Sequence, residues 1–427
     1  MTATDSYPKS LAAADRPRPL AYICGLDPGV HTNGHVSYVQ AHAQAASAAG
    51  FAPQIFCVGT KSSVEPTDYG VIRRVATPVR HYLLAPTYRR PIAQAVADYL
   101  EGCGHEPPHL IHSFGPWAAT AVSAGAELAR RRIGTVTVAS AYTTIAHEWA
   151  GMIEGLGAQD GRRVAFRYHA WNPWVRSVAA RVECHGYERV GLVLVNYDSV
   201  ERLLRGACGT HVRIRRLPYA SPAAFTPAPP SSPPVPGPIA ALSDADAPLI
   251  VSVSRHVPRK GLSLLLRALA ALRDEGVAYR ACLVGPGRLL SDHRHLASGL
   301  GLTGRVAMPG LVADVGPYLQ AADVFVLPSL EEGSGSVSLL EALQAGAAIV
   351  ASDCDGLSED ITNGESGLLV PPGDERALAT ALARVLGDPG LRSRLAKNAR
   401  QLYLNRFSSA PFMTALCDTY AGLGVTP

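Results

Sequence analysis

Two basic side chains follow an apolar run in the second half of the chain. Arg255 and Lys260 lie five residues apart, after the strand-like run Leu249–Val253 and before a helical pattern. A loop between a strand and a helix presents backbone N–H groups and the positive helix end to an anion. Two fixed cations at that point suit a diphosphate, and the alternative is a surface loop whose charges have no partner.

A pair of glycines follows the next apolar run of this half. Gly285 and Gly287 come directly after the segment Cys-Leu-Val. Because glycine has no side chain, the backbone there can approach a phosphate or a nucleotide closely. The pair alone is a weak signal, since glycine at a strand end more often serves only the turn.

Two carboxylates flank a loop rich in Gly and Ser. Glu332 precedes Gly333-Ser334-Gly335, and Glu341 lies in the helical pattern after it. Such carboxylates can accept hydrogen bonds from sugar hydroxyls. The alternative for Glu341 is a capping box with Ser338, in which the carboxylate only closes its own helix start.

These side chains require elements that bring several strand ends to one edge. Apolar runs alternate with helical patterns in both halves, which predicts α/β structure with parallel sheets. The predicted strands are Ala21–Leu26, Gln54–Val58, Tyr69–Ala76, His109–Ser113, Thr135–Ser140, Gly191–Asn196, Leu249–Val253, Ala281–Val284, Arg305–Met308, Val324–Leu327, Ala348–Ala351 and Leu368–Val370. The predicted helices are His35–Ala49, Pro91–Glu101, Ala118–Arg132, Val200–Gly206, Leu262–Glu275, Leu339–Ala345 and Glu375–Leu386.

A Pro-rich segment separates the two halves. Residues 221–247 have no period, so they are predicted to form a linker without a helix or a central strand. We therefore predict a disordered tail over 1–19, a first α/β domain over 20–220, a second α/β domain over 248–405 and a C-terminal helix over 406–427. Open α/β sheets bind ligands at the carboxyl ends of their strands, so the site is expected in the cleft between the domains.

Composition places the chain among globular proteins, with 47% hydrophobic and 17% charged residues. Residues 1–218 hold 23 Lys and Arg against 16 Asp and Glu, which suits an anionic partner. A phosphorylated donor or an acidic acceptor is favoured over a membrane surface, and no nucleic-acid partner is expected.

The eight scattered cysteines predict buried, reduced thiols. No signal peptide or apolar run of about 20 residues is present, which predicts a cytoplasmic protein.

The stretch from Leu249 to about Phe407 resembles the donor-binding domain of retaining GT-B glycosyltransferases of family 4, also called glycosyl transferases group 1. The matching segments occur in the family's order: VSVSRHVPRKG, CLVGPGR, VAMPGLVADVGPYLQAADVFVLPS, EEGSGSVSLLEALQAG, IVASDCDGLSEDITNGESGLLVPPGD and NRFS. The resemblance implies two doubly wound Rossmann-like domains facing each other across a cleft. It implies that residues 20–220 bind the acceptor, that residues 248–405 bind the nucleotide sugar, and that the C-terminal helix packs back on the first domain. It also implies transfer of a sugar from a UDP- or GDP-sugar to an acceptor, with retention of anomeric configuration.

The implied donor site lies at the strand ends of the second domain. It comprises Arg255 and Lys260 at the diphosphate, Glu341 at the ribose, Glu332 with Gly333, Ser334 and Gly335 at the transferred sugar, the backbone around Met308 at the base, and Gly285 and Gly287 beside the nucleotide. One departure stands out, because eight residues separate Glu332 from Glu341 where the family usually has seven. Either Glu332 or Glu331 therefore faces the sugar.

The first half resembles the family less closely. The loop after the first strand carries His31, Thr32, Asn33 and Gly34, which are candidates to contact donor or acceptor, with close backbone approach at Gly34. After the run VTVAS, the family often places a histidine near the donor sugar. Tyr142 stands there and His147 follows five residues later, so the acceptor or donor-sugar candidates also include these two.

The resemblance also bears on metals and on alternative functions. Two D-x-D triplets, Asp244–Asp246 and Asp353–Asp355, could indicate a metal, but GT-B enzymes characteristically hold the diphosphate with basic side chains, so no metal or cofactor is expected. The unusual loops at 27–35 and 142–149 favour a small-molecule acceptor or natural-product precursor, and the Ala- and Arg-rich, Lys-poor composition indicates a bacterial protein. A glycolipid or polysaccharide transferase, an epimerase, a phosphorylase and a non-catalytic nucleotide-sugar-binding protein are the alternatives.

Overall fold

A computed structural model describes residues 17–31, 34–78, 89–154, 161–218 and 235–427 of the protein. These residues form two α/β domains, each built on a parallel sheet with helices against it. The observed architecture confirms the fold class that the alternating pattern predicts.

The N-terminal sheet has eight strands in the order β3-β4-β2-β1-β5-β6-β7-β8. Its strands are β1 Arg18–Ile23, β2 Phe51–Gly59, β3 Ser63–Thr67, β4 Gly70–Ala76, β5 His109–Phe114, β6 Thr135–Ala141, β7 Leu192–Val195 and β8 Ile214–Arg216. Its helices are α1 Gly34–Ala48, α2 Arg90–Gly102, α3 Ala118–Arg130, α4 Ile145–Glu154, α5 Gly161–Trp174, α6 Ala180–Arg189 and α7 Asp198–Cys208. Only the edge strand β3 of the described sheet runs antiparallel to its neighbour.

The C-terminal sheet has six parallel strands in the order β11-β10-β9-β12-β13-β14. Its strands are β9 Leu249–Val253, β10 Arg280–Val284, β11 Val306–Gly310, β12 Val324–Leu327, β13 Ala348–Ser352 and β14 Leu368–Val370. The helices are α8 Gly237–Ala240, α9 Leu262–Asp274, α10 Leu290–Gly299, α11 Gly316–Gln320, α12 Val337–Ala345, α13 Leu357–Asp360, α14 Glu375–Gly387, α15 Pro389–Leu402 and α16 Ser409–Ala421.

The central strands β9 and β12 lie side by side and are almost wholly buried. Because both faces of each strand are covered by helices, their sequences are continuous apolar runs. Parallel pairing brings their carboxyl ends to one edge, so the loops after β9 and β12 are neighbours. These two loops carry Arg255, Lys260 and Glu332.

The predicted linker is wrong in part, because it contains the short helix α8. A proline in the first turn suits the fixed backbone angle of that position. Ile239 of this helix is buried in the main core. One buried side chain therefore anchors a segment whose composition predicts no helix.

The C-terminal helix α16 packs against α1 of the N-terminal domain. The Tyr420 hydroxyl lies 2.7 Å from Nδ1 of His112 and 3.0 Å from the hydroxyl of Tyr22. All three side chains are buried. The end of the chain is thus fastened to the first domain by a buried polar network as well as by apolar contacts.

The prediction that all cysteines are reduced thiols is wrong for one pair. Cys184 of α6 and Cys208 of α7 form a disulfide, whereas the other six cysteines are free. The two residues are 24 positions apart, and their helices pack together beside β7. Their spacing carries no local pattern, so only the helix packing reveals the pair.

No helix among the described residues is both long enough and apolar enough to cross a membrane.

Candidate functional site

Lys260 is placed by a tight turn between β9 and α9. Pro258–Lys260 form one 3₁₀ turn, and Gly261 ends it with a left-handed backbone at φ 63°. A side chain at Gly261 would collide with the carbonyl oxygen of Pro328, which follows β12. Glycine is therefore required for the two loops to approach, and their approach brings Lys260 to the carboxylate loop.

The ammonium group of Lys260 is paired with the carboxylate of Glu332. The second oxygen of that carboxylate accepts a hydrogen bond of 2.5 Å from the hydroxyl of Ser329. The Lys260 side chain is 10% exposed and that of Glu332 is 3% exposed. Burial lowers the pKa of Lys260, and the charge of Glu332 opposes this shift.

Arg255 has an exposed side chain. Desolvation by the surrounding protein lowers its pKa, the neighbouring Arg259 adds to this shift, and the carboxylates of Glu148 and Glu332 oppose it. Glu148 belongs to α4 of the other domain, so the guanidinium lies in the field of both domains. No ion pair of Arg255 is present among the described side chains, and its charge is available to an anion.

Gly285 and Gly287 pack against the loop that carries Arg255. Their φ angles are 140° and 156°. A side chain at Gly285 would strike the carbonyl of Ser254, and one at Gly287 would strike the backbone of His256. The backbone that these glycines approach is thus the Arg255 loop itself.

A buried histidine pair lies beneath this loop. Nδ1 of His256 is 2.8 Å from Nδ1 of His293, whose Nε2 is 3.0 Å from the hydroxyl of Ser263. Burial lowers the pKa of His256 to about 4 and also lowers the pKa of His293. A neutral pair fits this contact, because one ring nitrogen must donate and the other must accept.

Glu341 does not form the capping box. The helix α12 begins one residue after its N-cap Ser336, so Ser338 lies inside the first turn. The carboxylate of Glu341 has no hydrogen bond or ion pair to the described part of the chain. Burial and then the charge of Asp314 raise its pKa to about 7. A desolvated carboxylate without a partner fits a ligand that brings hydroxyl donors.

The loop from Glu331 to Gly335, here called the sugar loop, is held by groups around it. Oδ2 of Asp355 accepts hydrogen bonds from the backbone N–H of Glu332, at 2.7 Å, and of Gly333, at 2.9 Å. Nη1 of Arg259 donates to the carbonyl of Glu331 at 3.2 Å. Two N–H groups of the sugar loop are therefore already occupied by a carboxylate.

The sugar loop also contacts the N-terminal domain. Nε2 of His147 lies 2.5 Å from Oε1 of Glu331, and both side chains are about one-third exposed. A Cβ at Gly333 would lie 3.6 Å from the same imidazole. The structure thus brings His147 to the sugar loop, where Glu331 faces the first domain and Glu332 faces Lys260.

Tyr142 packs against residues of α1. Its ring packs edge-on against Tyr38, with 4.6 Å between centroids, and against His35 at 5.4 Å. Burial lowers the pKa of His35 to about 4. The ring of Tyr142 therefore contributes to the packing of α1 on the strand ends, and His147 makes the contact with the other domain.

The first loop is shaped by Asp27. Its carboxylate accepts a hydrogen bond of 2.9 Å from the N–H of Gly29 and forms an ion pair with Arg74. His31 at the end of this loop is exposed, and a Cβ at Gly34 would lie 3.5 Å from Val337 at the start of α12. Thr32 and Asn33, the other candidates in this loop, lie outside the described residues.

The residues around the expected base position are close to a basic side chain. Nη2 of Arg294 donates a hydrogen bond of 2.6 Å to the carbonyl of Met308. Both residues line a small cavity between α10 and β11. Among the described residues, no group of three or more His, Cys, Asp or Glu side chains is arranged to hold a metal.

Three functional positions were missed by sequence reasoning. Asp355 supports the sugar loop, and Tyr197 reaches this loop from the other domain. Glu183 is buried in α6 and accepts a hydrogen bond of 2.9 Å from the N–H of Ile145 at the start of α4. The only local signal was the D-x-D triplet at Asp355, which pointed to a metal instead.

The sequence of the C-terminal domain identifies its class. Residues 240–402 match the family described as "Glycosyl transferases group 1". The two facing Rossmann-like domains are the GT-B architecture, and solved structures of this architecture resemble nearly the whole chain. Residues 240–402 thus resemble glycosyl transferases group 1, and the chain as a whole has the GT-B fold.

Two curated relatives illustrate the match. The lipopolysaccharide core biosynthesis glycosyltransferase LpsE of Rhizobium meliloti is 36% identical over 179 residues, which are 42% of this chain and 50% of the relative. The alpha-D-kanosaminyltransferase of Streptomyces kanamyceticus is 30% identical over 182 residues, 42% of this chain and 47% of the relative. The chain thus spans about half the length of the curated relatives it matches.

Two solved structures show how far the fold extends. Sucrose-phosphate synthase from Thermosynechococcus elongatus has a TM-score of 0.71 at 23% identity, covering 95% of this chain and 99% of that one. Anabaena HepE in complex with UDP has a TM-score of 0.68 at 17% identity, covering 95% and 100%. At these identities the likeness concerns the fold alone.

Proposed function

We propose that the protein is a glycosyltransferase that moves a sugar from a nucleotide diphosphate sugar to an acceptor. The observation that carries the proposal is the arrangement at the carboxyl ends of β9 and β12. There, the cations Arg255 and Lys260 lie beside the sugar loop, and the partnerless carboxylate Glu341 lies in the middle of α12, the helix that follows this loop. A diphosphate needs the cations, and a ribose offers the hydroxyl donors that Glu341 lacks.

The chemistry that these groups support is cleavage of the bond between the anomeric carbon and the diphosphate. Arg255 and Lys260 stabilise the charge that grows on the leaving phosphate. Removing one such donor often costs about 3 kcal/mol of transition-state stabilisation. The Lys260 ammonium has three N–H donors, so its pair with Glu332 leaves two for the diphosphate.

We further propose that the anomeric configuration is retained. The acceptor oxygen then bonds to the anomeric carbon on the face that the diphosphate leaves, and the acceptor proton passes to the leaving phosphate oxygen. No protein base is required in this scheme. His147 and Glu331 are already engaged with each other at the sugar loop, which supports the scheme.

A UDP- or GDP-sugar is the proposed donor, and a small molecule is the proposed acceptor. The name of the kanosaminyltransferase relative and the HepE complex with UDP favour these classes. A lipid-linked or polysaccharide acceptor is the second candidate, because the LpsE relative is named for lipopolysaccharide core biosynthesis. We place the reaction in the cytoplasm.

We propose that the reaction needs no metal. The carboxylate of Asp355, which belongs to the D-x-D triplet beside the sugar loop, already accepts two backbone hydrogen bonds. Activity in excess EDTA is expected to equal activity without it. Loss of activity in EDTA and its restoration by manganese would overturn this part of the proposal.

The first experiment is a thermal-shift panel of UDP, GDP, TDP, ADP and NAD with EDTA present. A ligand at a hundred times its dissociation constant stabilises the native state by about 2.7 kcal/mol, which moves the melting curve. We expect one nucleoside diphosphate to stand out. Release of that nucleotide from its sugar conjugate in the presence of acceptor then tests transfer. Binding without release for any acceptor would indicate a non-catalytic binding protein.

A further inference from the structure

Tyr197 of the N-terminal domain fills a notch in the C-terminal domain. It is the N-cap residue of α7 and is 1% exposed. Its hydroxyl donates a hydrogen bond of 2.6 Å to Oδ2 of Asp360 in α13. The side chain therefore crosses the domain boundary and is buried on the far side of it.

The walls of the notch are two glycines, Gly335 and Gly356. A Cβ at Gly335 would collide with the phenol oxygen of Tyr197, and a Cβ at Gly356 would lie 2.8 Å from its ring. Gly356 has an ordinary helical backbone at φ −68°, which any residue could adopt. The absence of a side chain at this position is therefore required by two neighbours, the ring of Tyr197 and the backbone nitrogen of Gly335 at 2.7 Å, and not by the backbone conformation of Gly356 itself.

The notch belongs to the part of the site that faces the transferred sugar. Gly335 is the last residue of the sugar loop. Gly356 directly follows Asp355, whose carboxylate holds the N–H groups of Glu332 and Gly333. The Tyr197 ring thus touches both the sugar loop and the segment that fixes it.

Glu359 makes a second interdomain contact that does not touch the sugar loop. Its carboxylate accepts hydrogen bonds from the backbone N–H of Asp198, at 2.9 Å, and of Ser199, at 3.0 Å. It also forms an ion pair with Arg216. Glu359 therefore fixes the start of α7 in the same way but leaves the sugar loop alone, which makes it a matched control.

We propose that Tyr197 is a positioning residue that holds the sugar loop in its substrate-ready arrangement from the opposite domain. Opening of the cleft at this point withdraws the ring, and the paired segments around Gly335 and Gly356 lose their support. The geometry for the donor sugar then depends on contact between the domains. The inference deepens the proposed function and rests on it for the identity of the ligand.

The first test is hydrogen exchange in the unliganded full-length protein, measured at the amides of Glu332 and Gly333. Tyr197→Ala is expected to speed exchange there about tenfold or more, because the Asp355 segment is no longer held. Tyr197→Phe keeps the ring in the notch and is expected to stay within about threefold of wild type. Glu359→Gln is expected to speed exchange at Asp198 and Ser199 but not in the sugar loop.

The second test is steady-state kinetics with the donor identified by the thermal-shift panel. Tyr197→Ala is expected to raise the donor KM about tenfold while kcat changes less, and Tyr197→Phe is expected to restore the wild-type KM. If Tyr197→Ala does not fold, Gly335→Ala replaces it, since its methyl group displaces the ring.

The outcomes separate the inference from the proposed function. Unchanged exchange at the Glu332 and Gly333 amides in Tyr197→Ala or Gly335→Ala overturns the inference. A donor KM that Tyr197→Phe does not restore overturns it as well. If the protein transfers no sugar from any donor, the proposed function fails, while the exchange measurement still decides whether Tyr197 holds the loop.

Discussion

The two walls of the cleft are held in place in different ways. On the C-terminal side, the sugar loop is held by three close neighbours within its own domain, namely Lys260, Ser329 and Asp355, in addition to its contacts with the other domain. On the N-terminal side, the start of α4 rests on the single buried carboxylate of Glu183, which comes from α6. The C-terminal wall, here called the donor wall after the proposed function, is thus built from short loops at adjacent strand ends. The N-terminal wall, here called the acceptor wall for the same reason, depends on a distant helix.

The difference has an electrostatic side as well. Glu332 is buried but compensated by the ammonium of Lys260. Glu183 is buried and has no cationic partner in the described part of the chain, and burial raises its pKa to about 8. A compensated charge can serve chemistry at neutral pH, whereas an uncompensated carboxylate stays largely protonated there. Its role at Glu183 is to accept the N–H of Ile145 and to position α4.

The largest expected effect is on the donor wall. Lys260→Ala removes a cation from the diphosphate and leaves Glu332 buried without its partner, so turnover is expected to fall about a hundredfold or more. Arg255→Ala is expected to cause a similar loss without disturbing Glu332. Initial rates of nucleotide release measure both, with Lys61→Ala, an exposed lysine of the first domain, as the control. Near-normal rates in both variants would contradict the site assignment.

The second prediction concerns Glu183, on the acceptor wall, and its effect on stability. Glu183→Leu leaves the N–H of Ile145 buried without an acceptor and is expected to lower the free energy of unfolding by about 2 kcal/mol relative to Glu183→Gln. Because Glu183 has a raised pKa, the folded state binds more protons, and its contribution to stability decreases as pH rises from about 4.5 through 8. At pH 8, Glu183→Gln is therefore expected to be more stable than the wild type.

Urea unfolding of wild type, Glu183→Gln and Glu183→Leu at pH 5 and pH 8 measures this effect. Equal stability of the two variants at both values would show that the Ile145 hydrogen bond does not matter. If the free energy of unfolding of the wild type rose relative to that of Glu183→Gln between pH 5 and pH 8, the result would contradict the raised pKa of Glu183.

The third prediction concerns Glu341. Burial of its carboxylate destabilises the free protein at pH 8, but it favours binding of a ligand that brings hydroxyl donors. Glu341→Gln is expected to weaken binding of the nucleoside diphosphate about tenfold, because a charged acceptor for hydroxyl groups is lost. In the absence of ligand the same change is expected to stabilise the fold at pH 8, since burial raises the pKa of Glu341 to about 7. Calorimetric titration and urea unfolding measure the two effects, and a variant that binds the nucleotide as tightly as wild type would contradict the ribose role.

The sequence predicts the donor wall better than the acceptor wall for a physical reason. Leu249–Val253 and Val324–Leu327 are buried on both faces, so composition alone marks them, and the structure has the same bounds. The edge strand Ser63–Thr67 is largely exposed and contains a proline, and no apolar run announces it. The helical segment from α4 to α6 contains Pro173 inside a helix, which a sequence pattern treats as a break.

The site divides in the same way. Lys260 could be chosen from residue type and spacing, because it lies in the loop that follows its own strand. Glu341 lies inside α12, and only the family resemblance proposed it. Tyr197 and Glu183 could not be chosen, since their roles arise from contacts with segments far away in the sequence. Gly335 and Gly356 are the only sequence features that reflect the position of Tyr197. In the sequence, a glycine that makes room for a distant ring cannot be distinguished from any other loop glycine.

The smallest expected effect concerns the histidine pair beneath the Arg255 loop. Burial lowers the pKa of His256 to about 4, so the unfolded state binds the proton first as pH falls. The contribution of this histidine to stability is complete above about pH 6.5 and is lost as pH falls toward 4. In His256→Asn, the decrease in unfolding free energy between pH 7 and pH 5 should therefore be smaller than in wild type, by about 1 kcal/mol.

Buried histidines of the N-terminal domain, such as His42, add their own acid sensitivity, so the difference between variant and wild type is the measured quantity. His169→Gln, at an exposed position, is expected to leave the decrease unchanged. An equal decrease in wild type and His256→Asn would mean that the pair beneath the loop does not resist protonation, and that the acid sensitivity of the protein lies in the N-terminal wall.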